Sequence, residues 1–90
     1  MEILEKKLRI SNVLGLHGRA SASLVETASR FAADIRLVRD GEEVDAKSIL
    51  DVMSIACVRG SVVTVRAKGV DAEAALTAIE ILVRNKFGEE

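Results

Sequence analysis

Proline, tryptophan and tyrosine are absent from this chain of 90 residues, which also holds only one cysteine, one histidine and two phenylalanines. Without proline, no helix or strand is forced to break at a residue lacking an N–H. A lone Cys57 excludes an internal disulfide and fits a reducing cytoplasm, where it reads as a small buried hydrophobe with no redox role. His17 has no second histidine beside it and the cysteine belongs to another element, so neither a metal centre nor any other cofactor is expected. Phe31 and Phe87 both fall in helical patterns, leaving no aromatic platform on a strand for RNA bases. A net charge of −1 gives no electrostatic reason to expect nucleic acid either. No run of apolar residues is long enough for a membrane span, and Met1 to Lys7 lacks the apolar stretch of a secretion signal.

The remaining composition, 49% hydrophobic and 30% charged, is that of a globular protein with an aliphatic core rather than a disordered one. Its length suits one domain spanning residues 1–90. Leu4, Leu8 and Ile10 fall on one face of a first strand, with Lys6 as the exception. A first helix is predicted from Gly18 to Ala33, its buried stripe being Ala20, Leu24, Ala28 and Phe31. Ile35 and Leu37 alternate in a second strand, and Asp40-Gly41 signals a tight hairpin into a third at Glu42 to Asp45. A short helix with Ile49, Val52, Met53 and Ala56 on one side follows, then a strand from Ser61 to Lys68 in which Val63, Val65 and Ala67 share a face. Asp71 is the expected N-cap of a last helix whose stripe is Ala75, Leu76, Ile79, Leu82, Val83 and Phe87, with Gly88 ending it. The order β-α-β-β-α-β-α predicts an α+β open-faced sandwich: a four-stranded antiparallel sheet, three helices on one face and water on the other. Right-handed crossovers place the last strand between the first and second.

His17 lies between the first strand and the first helix, within Asn12-Val13-Leu14-Gly15-Leu16-His17-Gly18-Arg19-Ala20. A lone histidine near a helix start is ordinarily a weak cap. Here Gly15 and Gly18 bracket it, so backbone can approach a bound group closely. The helix N-terminus offers unpaired N–H groups and the positive end of the macrodipole, and Arg19 adds a guanidinium whose donor fork suits phosphate. A nucleophilic nitrogen, an anion pocket and an arginine within a few residues point to phosphoryl chemistry on the histidine itself.

At these residues the chain resembles the histidine-containing phosphocarrier (HPr) family of the phosphoenolpyruvate-dependent phosphotransferase system. The family motif G-L-H-A-R-P-A stands here as Gly15-Leu16-His17-Gly18-Arg19-Ala20-Ser21, and K-S-I-x-G-V-M-x-L as Lys47-Ser48-Ile49-Leu50-Asp51-Val52-Met53-Ser54-Ile55. The resemblance implies an HPr-like fold, and a phosphocarrier rather than a turnover enzyme. His17 would take a phosphoryl group on Nδ1 from phospho-enzyme I and pass it to a histidine of an EIIA-type protein. Arg19 would stabilise the phosphate, alongside the Gly18 and Arg19 backbone. It further implies a cytoplasmic protein, monomeric and without membrane insertion or nucleic acid. Gly18 and Ala20 depart from the family's alanine and proline, but nitrogen-branch members often carry alanine at the latter place and share the pattern from Asn12 to His17. Glu26 stands where sugar-branch members tend to be basic.

Ser48 has two readings. It can cap the short helix, and by resemblance it can be the target of an HPr kinase/phosphorylase, although Asp51 one turn on would repel a phosphate there. The apolar residues beyond it also divide. Either Ile49, Val52, Met53 and Ala56 are core and only Leu50 is exposed, or, as the resemblance implies, Ile49, Leu50 and Met53 belong to a docking patch beside His17. Three other functions compete with relay. A non-relaying regulatory module of the same fold would not need both His17 and Arg19. A small enzyme using His17 as general base lacks a recognisable third group to orient the ring. An RNA-binding sheet lacks its aromatics.

Overall fold

Strand β4 (Val62–Lys68) organises the sheet because every second residue is a small branched or methyl side chain. Val63, Val65 and Ala67 are buried on one face, while Val62, Thr64, Arg66 and Lys68 point the other way. In the computed structural model, which describes residues 2–89, β4 lies between β1 (Ile3–Arg9) and β2 (Asp34–Arg39), with β3 (Glu42–Asp45) outside β2. All pairs are antiparallel. The register sets Leu8 opposite Val63, Leu37 opposite Val65 and Ile35 opposite Ala67, so the buried face is continuous across three strands. The interleaved order follows the expectation from right-handed crossovers. So does the hairpin: Asp40 and Gly41 both take positive φ, at 51° and 82°, which matches the twist of the flanking strands.

The helices cover the apolar face. Helix α3 (Ala72–Arg84) lies over β1 and β4 and buries Ala75, Leu76, Ile79 and Val83, with Leu82 half-buried at the margin. Helix α1 (Gly18–Ser29) packs against α3 and against the short α2 (Ile49–Ser54), burying Ala20, Leu24 and Ala28. The opposite face is open and charged. Arg66 lies between Glu5 and Glu43 there, 2.9 Å from the latter, an exposed pairing that contributes little to stability.

Several sequence expectations need correction. Helix α1 stops at Ser29, not Ala33, and Phe31 is a half-buried residue of the following turn. Asp71 explains why. It stands at the start of α3 but makes no cap hydrogen bond; its carboxylate accepts from the N–H groups of Ala32 and Ala33, each at 2.8 Å, and holds that turn open. In α2 only Val52 is buried, with Ile55 just beyond it, while Ile49, Met53 and Ala56 are exposed. Six residues present too little helix to bury a four-residue stripe, and Ala56 turns the chain outward with φ 48°. Helix α3 ends at Arg84, so Phe87 is not on its stripe. Lys86 and Phe87 adopt left-handed φ of 55° and 56°, and a 3-10 turn from Lys86 to Gly88 folds the chain back with Phe87 buried. Gly88 (φ 77°) closes that turn and not the helix.

The hydrogen bond from Ala32 holds the Asp71 carboxyl below its ordinary value of 3.8; burial opposes the shift, and Ala33 and the Lys47 charge assist it. A depressed pKa stabilises the fold above the ordinary value and loses that contribution as pH falls through the lowered one. Asp71→Ala should therefore lower Tm near neutrality by several degrees, and the difference from wild type should shrink as pH drops from about 4 toward 2 in thermal melts.

Candidate functional site

The loop from Ile10 to His17 is fastened to the segment before β4. The Ile10 N–H donates to the Ser61 carbonyl at 2.8 Å, the Gly60 N–H donates to the Ile10 carbonyl at 2.7 Å, and the Leu16 N–H donates to the Cys57 carbonyl at 2.8 Å. Gly15 makes this approach possible. Its φ is +65°, and a Cβ placed there would sit 2.4 Å from the Cys57 carbonyl oxygen. Two buried polar side chains complete the anchoring. Asn12 Nδ2 donates to the Gly15 carbonyl at 2.8 Å, and Ser21 Oγ donates to the Leu16 carbonyl at 3.0 Å. Cys57 takes part through its carbonyl only; burial pushes its thiol pKa up, as expected of an unreactive side chain.

Thus positioned, His17 is the N-cap of α1, with extended backbone and its carbonyl accepting from Ser21 N–H at 2.8 Å. The side chain is 26% exposed, neither core nor free-swinging. Nδ1 accepts from the Arg19 backbone N–H at a long 3.4 Å, so it faces the amides that open the helix. Nε2 lies 2.7 Å from Glu89 Oε2. No acidic residue occupies the first turn of α1, leaving its positive end uncompensated. The Arg19 side chain is exposed, and its charge is among the causes that lower the Glu89 pKa. Burial alone would raise that carboxyl; hydrogen bonds from Asn12 and His17, with the Arg19 charge, more than offset it.

His17, Gly18 and Arg19 are thus together, as their spacing requires. Gly18 has open space where a Cβ would stand, so alanine, the residue usual in the family, would fit there. Ser48 caps α2, its Oγ accepting from Asp51 N–H at 3.3 Å; it begins a different helix and makes no hydrogen bond to His17. The Asp51 carboxylate accepts from Asp45 N–H at 3.2 Å. Ile49, Leu50 and Met53 are all solvent-exposed, Leu50 by 79%. Val13, Leu14 and Val58 are exposed apolar residues on the loop that carries His17 and on the segment beneath it. Among the described residues no three metal-ligating side chains come together.

Glu89, whose carboxylate meets the His17 ring, is the candidate-site residue that sequence reasoning missed. No local pattern marks it. It arrives because two non-glycine residues, Lys86 and Phe87, turn the chain left-handed, a conformation sequence does not announce. Asn12 was visible as part of a motif, but not as a buried donor holding the other Glu89 oxygen, Oε1, at 3.1 Å.

Comparison with known proteins accords with this geometry. The family model described as "PTS HPr component phosphorylation site" matches residues 4–85. The phosphocarrier protein HPr of Cupriavidus necator is 44% identical over 87 residues, covering 97% of this chain and 98% of that protein. The phosphocarrier protein NPr of Shewanella violacea is 42% identical over 89 residues, covering 99% and 98%. Among solved structures, HPr-C-His from Thermoanaerobacter tengcongensis superposes with a TM-score of 0.94 at 42% identity, covering 97% of this chain and 98% of that one; another structure from that organism is of an HPr dimer. The chain therefore belongs to the HPr family, the phosphocarrier proteins of the phosphotransferase system, which carry a phosphoryl group and are not turnover enzymes.

Proposed function

We propose that His17 Nδ1 accepts a phosphoryl group from phospho-enzyme I and passes it to a histidine of an EIIA-type protein. One observation carries this reading: the imidazole sits at the head of α1 with Nδ1 turned toward the helix amides and Arg19 beside it. Transfer through a loose transition state needs in-line approach and donors for the equatorial oxygens more than covalent assistance. The Gly18 and Arg19 amides and the Arg19 guanidinium are those donors. All of them border water, so they stabilise the phosphate moderately, which suits a carrier that must release what it binds. The exposed side chains of Ile49, Leu50 and Met53, with Val13, Leu14 and Val58, are the apolar surface on which donor and acceptor proteins dock.

Resemblance to both an HPr and an NPr leaves the sugar and nitrogen-related branches as two versions of one relay. The lone buried thiol suits a cytoplasmic site of action, and the protein works as a monomer in this reading. A module that contacts a regulator without relaying phosphate is the alternative. Regulation through Ser48 is a separate proposal, resting on the second motif: an HPr kinase/phosphorylase would phosphorylate Oγ, and the nearby Asp51 would oppose the new charge.

With phosphoenolpyruvate and enzyme I from the same source, wild type should acquire an acid-labile, base-stable phosphate. His17→Ala should acquire none, Arg19→Ala should label about tenfold more slowly or worse, and Leu50→Asp should raise the concentration needed for half-maximal rate. Labelling that persists in His17→Ala would move the chemistry to Ser48 or elsewhere. Partner binding by a wild type that never labels would favour the regulatory module. For Ser48, the cognate kinase with ATP should label wild type and not Ser48→Ala; no incorporation into wild type ends that proposal.

A further inference from the structure

We propose that Glu89 is a positioning residue for His17: its carboxylate holds the ring with the proton on Nε2 and faces the positive charge the ring acquires when Nδ1 takes the phosphoryl group. The inference rests on the relay just described. The geometry is specific at both ring nitrogens. Nδ1 faces the Arg19 N–H at 3.4 Å, a donor that favours an unprotonated nitrogen there, while Nε2 stands 2.7 Å from a carboxylate oxygen, which can only accept when ionised. Hydrogen bonds from Asn12 and His17 keep that carboxyl below the usual range, so the accepting form is present at neutral pH. The proton therefore belongs to Nε2, and the lone pair to Nδ1.

Glu89 is itself held. Asn12 Nδ2 donates to Oε1, leaving Oε2 for the ring, and Asn12 is fully buried under the loop that carries His17. The turn at Lys86 and Phe87, fastened by burial of the Phe87 ring, delivers the carboxylate to that place. This is the arrangement in which a carboxylate selects the tautomer of a reacting histidine.

The transfer balances without moving a proton at His17. The Nδ1 lone pair forms the new N–P bond as the donor's N–P bond breaks, and the electron pair of that bond stays on the donor nitrogen. The His17 ring, neutral beforehand, becomes cationic with Nε2–H intact, and the donor ring loses the equivalent charge. The hydrogen bond to Glu89 then joins opposite charges and strengthens. Glu89 thus favours both the nucleophilic tautomer and the phosphorylated state.

The test uses the full chain with 15N-labelled histidine, whose ring shifts report which nitrogen carries the proton. Wild type should show the Nε2–H form. Glu89→Ala should shift the ring toward mixed tautomers and slow labelling by enzyme I about tenfold or more. Glu89→Gln, a neutral acceptor of the same reach, should keep more of the tautomer yet label more slowly than wild type, separating orientation from charge. Unchanged melting of both variants would show that the fold is retained. Ring shifts and labelling rate in Glu89→Ala equal to wild type would overturn the proposal and reduce Glu89 to a clamp on the tail. Failure of wild type to label on His17 would instead sink the relay, and the ring shifts would still decide the tautomer.

Discussion

The contact between the Leu16 N–H and the Cys57 carbonyl governs where the His17 ring can be. It joins the loop after β1 to the segment before β4, and it forms only because Gly15 has no side chain to collide with that carbonyl. From Leu16 the chain has a single residue in which to enter α1, and that residue is His17. The ring's place at the helix head is therefore a property of the whole sheet and not of local helix preference. The same fastening explains why polar Asn12 and Ser21 are buried: each satisfies a loop carbonyl that the sheet cannot reach.

Much of this was legible in sequence, for identifiable physical reasons. Val63, Val65 and Ala67 alternate with the polar Thr64, Arg66 and Lys68, Asp40-Gly41 admits positive φ at both turn positions, and the α1 stripe repeats with helical period; each signal is local and strong. His17 with Gly15 and Arg19 was visible for the same reason, since all three lie within one loop and helix start. What escaped depends on residues far apart in the chain. Asp71 looks like a helix cap, but its partners Ala32 and Ala33 lie across the fold. Glu89 reaches His17 only because Lys86 and Phe87 accept a strained backbone whose cost is offset by burying the Phe87 ring. The α2 residues misled in the other direction. One reading took Ile49, Met53 and Ala56 for core from their helical spacing, whereas so short a helix leaves them in solvent, as Leu50 is.

The site also resolves a tension inherent in carrying a labile group. A deep pocket would hold the phosphate too firmly and exclude partner proteins, while a freely rotating ring would present either nitrogen. The structure combines open helix amides and an exposed arginine with a ring contacted from its far side by a carboxylate. In the proposed relay, restraint sits behind the nucleophile and access in front of it. The exposed apolar residues of α2 and the neighbouring loops leave hydrophobic surface available for the docking proposed above.

The regiochemistry of the phosphorylated histidine tests this arrangement most directly. In protein labelled with 15N-histidine and phosphorylated by enzyme I, 31P–15N coupling identifies the nitrogen bonded to phosphorus. Coupling to Nδ1 of His17 alone is expected; coupling to Nε2, the nitrogen turned toward Glu89, would contradict it.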